Sequence, residues 1–156
     1  MTAERSFTLT SPEDSATFAT RLGETLAPGD TVLFFGPVGA GKTHICRHLV
    51  QSLQDMPEDV PSPTFTLVQV YDGSTGTIWH ADLYRLSGPD EIEELGLTDA
   101  FTDAICLVEW PERLGDLTPP DALTLELLPD KVNEDSRQLT LSWTDPKWDK
   151  KLEMLK

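Results

Sequence analysis

Residues 31–53 constrain this chain more than any other stretch. Thr31–Phe35 (TVLFF) is a continuous apolar run, the pattern of a strand covered on both faces. Gly36-Pro37-Val38-Gly39-Ala40-Gly41-Lys42-Thr43 follows, and from Lys42 to about Leu53 the residues Ile45, Leu49 and Leu53 recur at helical spacing. A strand, a G-x-x-x-x-G-K-T turn and a helix in direct succession form the context in which such a turn cradles phosphate. The glycines open torsions closed to other residues, so successive N–H groups can turn inward onto phosphate oxygens. The helix N-terminus adds the positive end of its dipole. Lys42 is expected to bridge the β- and γ-phosphates and the Thr43 hydroxyl to bind Mg²⁺. Gly36, Val38, Gly39, Ala40, Gly41 and His44 complete the expected nucleotide-binding loop.

The rest of the chain supplies the elements that such a strand needs around it. Ser6–Thr10 (SFTLT) alternates, as a half-buried strand does. Ser11-Pro12-Glu13-Asp14 then offers an N-cap serine, a proline at the first helical position and an acid three residues after the cap. A helix is therefore predicted to about Leu26, with Phe18 and Leu22 on its inner face. After a proline-rich loop at 55–63, Thr64–Tyr71 and Thr77–Leu83 read as the strands of a hairpin around residues 72–76. Pro89–Leu95 reads as a short acidic helix and Ile105–Glu109 (ICLVE) as a second buried strand. Leu123–Leu128 and Gln138–Trp143 read as two late strands. Past Pro146, a Lys-rich tail carries Trp148, Leu152 and Leu155 at helical spacing. The sum is an α/β fold: a P-loop NTPase-like mixed sheet flanked by helices, with a β-hairpin insertion and late antiparallel strands. A length of 156 residues fits one domain, expected over 1–145, with 146–156 as a C-terminal tail.

Charge excludes one class of function. With 12 Lys+Arg against 27 Asp+Glu, the net charge is −15. Nucleic-acid affinity comes mainly from Lys and Arg neutralising phosphates, so this chain is not expected to hold nucleic acid unaided. Residues 1–130 contain only six bases, and four of them (Lys42, Arg47, Arg85 and Arg113) lie in or beside the candidate site motifs. Positive charge thus gathers where phosphate is expected. The start, MTAERSFTLT, has no apolar run of the signal-peptide kind, and no stretch approaches the roughly 20 apolar residues of a membrane span. Cys46 and Cys106 sit in apolar segments, form no C-x-x-C, and read as reduced core thiols of a cytoplasmic protein.

Two acids are candidates for the remaining metal chemistry. Glu109 ends the apolar strand Ile105–Val108, and Asp82 ends a hairpin strand in His80-Ala81-Asp82-Leu83-Tyr84-Arg85. Each reads either as a solvated strand-end acid or as a carboxylate that meets Mg²⁺ directly or through water; the phosphate loop in the same small domain favours the second reading for at least one. Arg85 and Arg113 read as contacts to a γ-phosphate or a partner, or as surface salt bridges. His44 and His48 are spaced as a zinc pair, but no third ligand is evident. Trp79, Trp143 and Trp148 read as packing residues; Trp110, next to Glu109, reads as packing or as a ring beside the nucleotide.

Five segments together carry a resemblance. The loop G-x-x-G-A-G-K-T, Ser62-Pro63-Thr64-Phe65-Thr66-Leu67-Val68, His80-Ala81-Asp82-Leu83-Tyr84-Arg85-Leu86, Glu94-Leu95-Gly96-Leu97 and Ile105-Cys106-Leu107-Val108-Glu109-Trp110-Pro111 resemble the TsaE (YjeE) family in order and spacing, over roughly residues 5–143. That resemblance implies a bacterial ATPase needed to make threonylcarbamoyladenosine in tRNA. It implies that Lys42 and the loop backbone hold ATP or ADP, that Thr43 and Glu109 bind Mg²⁺, and that Asp82 is a second essential acid, orienting the attacking water or assisting the metal. Lys42, Asp82 and Glu109 are then the catalytic set. Ser62–Thr66 becomes a switch-like segment, with Thr64 its contact to the γ-phosphate, and Arg137 matches a family arginine on the adenine side. Partners implied are the other threonylcarbamoyl-transfer proteins, of the TsaD and TsaB type, with tRNA met only through the complex. Pro37 stands where the family usually has Asp, and His44 where it usually has a second Thr; neither position supplies the essential lysine or hydroxyl.

The expected function is a small Mg²⁺-dependent ATPase, slow alone and activated by partner proteins. No certain arginine finger is visible, and such a group supplies a large part of phosphoryl-transfer catalysis. Two alternatives are a small-molecule kinase and a nucleotide-sensing module without hydrolysis. A kinase usually wraps its phosphates with a basic lid, whereas residues 90–103 hold six acids and no base. That acidic run is either a docking face for basic partner surfaces or simply a solvated face.

Overall fold

The two continuous apolar runs lie at the centre of a seven-stranded mixed sheet. In the computed structural model, which describes residues 2–57, 60, 67–86 and 89–155, the strands are β1 (Ala3–Leu9), β2 (Thr31–Phe35), β3 (Val68–Asp72), β4 (Thr77–Asp82), β5 (Ile105–Glu109), β6 (Leu123–Pro129) and β7 (Arg137–Trp143). Their order is β1-β7-β6-β2-β5-β4-β3. β2 pairs in parallel with β5 on one side and β6 on the other, and β4 pairs in parallel with β5. β3–β4, β6–β7 and β7–β1 are antiparallel. The late strands therefore extend a parallel centre: β6 runs with β2 and only then turns back into β7. Every residue of β5 is buried, as its unbroken apolar sequence requires of a strand covered on both faces.

Helices cover both faces. α1 (Pro12–Thr25) and α2 (Lys42–Ser52) pack together on one side, where Phe18, Leu22, Ile45 and Leu49 meet Phe34, Ile105 and Leu107 in one apolar cluster. On the other side α3 (Pro89–Glu94) and α4 (Leu97–Asp103) contribute Ile92, Leu97 and Ala100 to a second cluster with Leu33, Ala81, Cys106 and Val108. Alternate residues of β5 thus serve opposite layers, the period-2 rule of a pleated strand. The expected α/β sheet with a hairpin and flanking helices is what the chain forms.

Local chemistry sets the element ends. Ser11 is an extended N-cap whose hydroxyl accepts from the Asp14 N–H, while the Asp14 carboxylate accepts from the Thr10 N–H at 3.0 Å. This reciprocal box ends β1 at Leu9, one residue before the expected Thr10. The strand also starts earlier than expected, at Ala3, because its antiparallel register with β7 runs from Ala3 opposite Trp143 to Leu9 opposite Arg137. Of the strand expected from Thr64, the described part begins at Val68; residues 61–66 lie outside the described residues. α4 was not expected. Only Leu97 and Ala100 of its seven residues are buried, too few to make a period, and Gly96 starts it in the left-handed region at φ 80°. A 3₁₀ turn over Pro111–Leu117 also escapes the periodicity reading.

The tail packs into the first cluster. α5 (Lys147–Lys151) places Trp148 among the α1–α2 side chains, joined there by Leu152 and Leu155. The Trp148 indole N–H donates to the Asp121 carbonyl at 2.7 Å. Lys147 and Lys151 reach the nearly buried Asp30 carboxylate at 3.0 and 2.7 Å. The Arg5 guanidinium donates to the carbonyls of Leu152 and Leu155.

Candidate functional site

The site forms where β2 hands over to α2, facing the ends of β4 and β5. β2 stops because Gly36 takes φ 148°, a torsion that favours glycine. A Cβ there would sit 2.4 Å from the Leu127 carbonyl oxygen, so the loop passes against β6 only because the side chain is missing. Gly41, at φ 104°, then starts α2 with no side-chain cap. The first N–H groups of a helix have no partner within it, and here no side chain supplies one.

Lys42 is the first residue of α2 and only 5% exposed. Its ammonium donates to the Gly36 carbonyl and lies 3.7 Å from the centroid of the Trp110 ring, a cation–π distance. Among the described residues no carboxylate lies within ion-pair distance of it. Burial holds its pKa below the ordinary lysine value, against the opposing pull of Glu109, Glu112 and Asp82. Trp110 reaches this position from a left-handed backbone, φ 57°, a conformation that strains a non-glycine residue. The Tyr84 ring lies against Trp110, with centroids 4.9 Å apart.

The carboxylates face the loop. β4 and β5 run in register, with Asp82 opposite Glu109, and both side chains are nearly buried. The Thr43 hydroxyl lies 2.8 and 3.1 Å from the two oxygens of Glu109. The second of those oxygens also meets His80 Nε2 at 2.7 Å. Asp82 accepts from the Tyr84 N–H at 3.1 Å. The thiol of Cys46, one turn into α2, is held in its neutral form by full burial and by Glu109 and Asp82, which push its pKa well up. The Thr43 hydroxyl and the two carboxylates offer hard oxygen donors on one wall of one cleft, which suits a small divalent cation such as Mg²⁺.

Most expected site residues meet. Val38, Gly39, Gly41, Lys42, Thr43, His44, Asp82 and Glu109 line one cavity of about 410 Å³, with Tyr84 and Trp110. Gly36 and Ala40 act from behind through their carbonyls, which accept from Lys42 and, at 2.9 Å, from Arg137. Arg137 lines a smaller cavity of about 180 Å³ with Ala40, Gly41 and His44, so the two hollows share part of the loop. Thr64, with all of 62–66, lies outside the described residues. The His44 and His48 rings pack edge to face at 4.5 Å, and His44 Nε2 contacts the Pro12 carbonyl. That ring nitrogen is taken up by a carbonyl, which argues further against a zinc pair. Arg113 donates to the Tyr84 carbonyl at 3.3 Å and Arg47 to the Val60 carbonyl at 2.9 Å. His80 is the residue that the sequence reading passed over. The signal was its spacing: in a strand, His80 and Asp82 share a face.

Comparison with known proteins places the chain. The family model described as threonylcarbamoyl adenosine biosynthesis protein TsaE matches residues 9–139. A TsaE from Rickettsia conorii is 41% identical over 77% of this chain and 69% of its own length. One from Rickettsia bellii is 38% identical over 84% and 89%. One from Mycobacterium bovis is 34% identical over 87% and 85%. All three are named tRNA threonylcarbamoyladenosine biosynthesis protein TsaE. The crystal structure of Bacillus subtilis YdiB shares the fold, with a TM-score of 0.80 at 24% identity over 98% of this chain and 94% of that one. The chain belongs to the TsaE family.

Proposed function

We propose that this chain is a Mg²⁺-dependent P-loop ATPase, an accessory subunit of the machinery that makes threonylcarbamoyladenosine in tRNA. The observation that carries the reading is Lys42. It is a buried ammonium with no carboxylate partner among the described residues, at the uncapped start of α2, facing the cleft that Thr43, Asp82 and Glu109 also line. A buried charge is costly until an opposite charge reaches it, and a nucleotide polyphosphate supplies one. The names of the relatives support the pathway.

In this reading the loop N–H groups and Lys42 hold the phosphates, and the smaller hollow by Arg137 takes the base. Thr43 and Glu109 hold Mg²⁺, which when bound neutralises charge on the phosphate oxygens. Asp82, fixed by the Tyr84 N–H, orients the attacking water or adds a metal contact. Thr64 contacts the γ-phosphate. Turnover alone is slow because Lys42 is the one Lys or Arg lining the cleft among the described residues, while Arg47, Arg113 and Arg137 donate to backbone carbonyls. An arginine finger contributes about 10³–10⁵ to kcat. Partners of the TsaD and TsaB type supply or order the missing group, and tRNA is met through them, as the net charge of −15 favours. The setting is the cytoplasm; no described helix is long and apolar enough to cross a membrane.

The test is assembly and modification. Mixed with purified TsaD- and TsaB-type proteins and ATP, the chain should enter a complex, and cells carrying Lys42→Ala should lose the modified nucleoside from tRNA. No complex, together with unchanged modification in Lys42→Ala cells, contradicts the proposal.

A further inference from the structure

Glu109 is held by two donors of different kinds. Thr43 reaches it from the start of α2, on the same wall of the cleft, and would turn its hydroxyl oxygen toward a metal. His80 reaches it from within the sheet. The His80 side chain is fully buried, and its Nε2 lies 2.7 Å from one Glu109 oxygen, itself nearly buried. An ionised carboxylate only accepts, so the hydrogen-bond network assigns the N–H to Nε2. The other ring nitrogen, Nδ1, is buried with no hydrogen-bond partner among the described residues. A buried polar group left unpaired costs stability, and an apolar side chain in this strand would carry no such cost. Among the described residues, the bond to Glu109 is the one polar contact that the ring makes.

The register explains why this residue reaches that oxygen. His80 lies opposite Leu107 and Asp82 opposite Glu109 in the parallel β4–β5 ladder. All four side chains emerge on the α2 side of the sheet, because Ile78 and Ile105, two and four residues earlier along the same strands, belong to the α1–α2 cluster. His80 therefore precedes the two acids on their own face of the sheet, with its ring close to the Cys46 thiol, and does not line the cleft.

We propose that His80 is a positioning residue for Glu109: its Nε2–H fixes the carboxylate so that the oxygen not bonded to His80 is presented, with the Thr43 hydroxyl, to Mg²⁺. This rests on the Mg²⁺-nucleotide reading above. Outer partners of metal-binding carboxylates typically change metal affinity about 10- to 100-fold when removed. The contribution falls mainly on the metal, since His80 meets the phosphate loop through Glu109, whose oxygen also meets the Thr43 hydroxyl, and not through the N–H groups or the lysine that take the phosphates.

The experiment is a calorimetric titration of ADP in EDTA and at a series of Mg²⁺ concentrations, for the wild type, His80→Leu and His80→Gln. Glutamine keeps an N–H near the position of Nε2. His80→Leu should bind metal-free ADP within about twofold of the wild type and need about 10- to 100-fold more Mg²⁺ for the metal-dependent gain in affinity. His80→Gln should recover most of that gain. Full Mg²⁺ dependence in His80→Leu, or equal loss in both variants, overturns the proposal. If neither variant folds, ¹⁵N-histidine spectra of the wild type decide: adding Mg²⁺ to the ADP complex should move the His80 Nε2 signal, and an unmoved signal overturns the proposal. A wild type with no Mg²⁺-dependent ADP affinity removes the functional reading first, and the role of His80 with it.

Discussion

Lys42 bears an unusual load for a single side chain. It is a buried cation whose near partners are a carbonyl and an indole face, so its charge is poorly compensated until an anion arrives. Two outcomes follow for Lys42→Met. The folded chain should lose no stability, and thermal unfolding should show an equal or higher Tm. Affinity for ADP should fall about 10- to 100-fold, the effect of losing a charge-assisted hydrogen bond of about 1.5–3 kcal/mol; calorimetry checks both magnitude and sign. A lysine that was merely structural would show the reverse pattern, a loss of stability without a loss of binding. Lys42 and Thr43 were legible because the motif fixes backbone geometry as well as residue type. Glu109 and Asp82 were legible as acids at strand ends, although their closeness needs the β4–β5 register. His80 was not legible as a partner of Glu109, because strand pairing decides which side chain lies behind which carboxylate. The stacking of Trp110 on Lys42 depends on one left-handed residue, which its sequence does not announce.

At the scale of elements, the phosphate loop depends on how closely it passes β6. Gly36→Ala places a methyl 2.4 Å from the Leu127 carbonyl oxygen at φ 148°, and backbone cannot yield as a flexible side chain does. This variant should lose about 2–3 kcal/mol of stability through strain. Gly39→Ala finds open space and pays only the torsional term at φ 82°, about 1 kcal/mol. Denaturant unfolding of the two variants checks the order. The element carrying the tail gives a pH signature. Burial works against the Lys147 ammonium, but Asp30 and Asp121 outweigh it and raise its pKa above 10.5. The stabilisation is then complete below 10.5 and lost as pH rises through the raised value. Above about pH 10.5 the unfolding midpoint should fall more steeply in the wild type than in Lys147→Met. The helices with a clear period (α1 and α2) and the strands that are continuous apolar runs (β2 and β5) were legible to within a residue or two. α4 and the 3₁₀ turn were not, because short segments bury too few side chains to show a period.

At the scale of the molecule, the sheet divides labour between its ends. One end of the parallel strands gathers the loop and both acids, and the tail seals the layer of α1 and α2 through Trp148, Leu152 and Leu155. Trp148→Ala should therefore cost about 3–5 kcal/mol, the range for emptying a buried aromatic site, measured by chemical denaturation. The sequence placed these three residues at helical spacing but gave no sign of the surface they cover, which only the return of β7 and α5 across the fold creates. The central claim concerns turnover, and steady-state phosphate release tests it most directly. The protein alone should hydrolyse ATP slowly and only with Mg²⁺, several-fold faster with TsaD- and TsaB-type partners added, and not at all as Lys42→Ala. Release that is absent with and without partners, or that survives in Lys42→Ala, would contradict it.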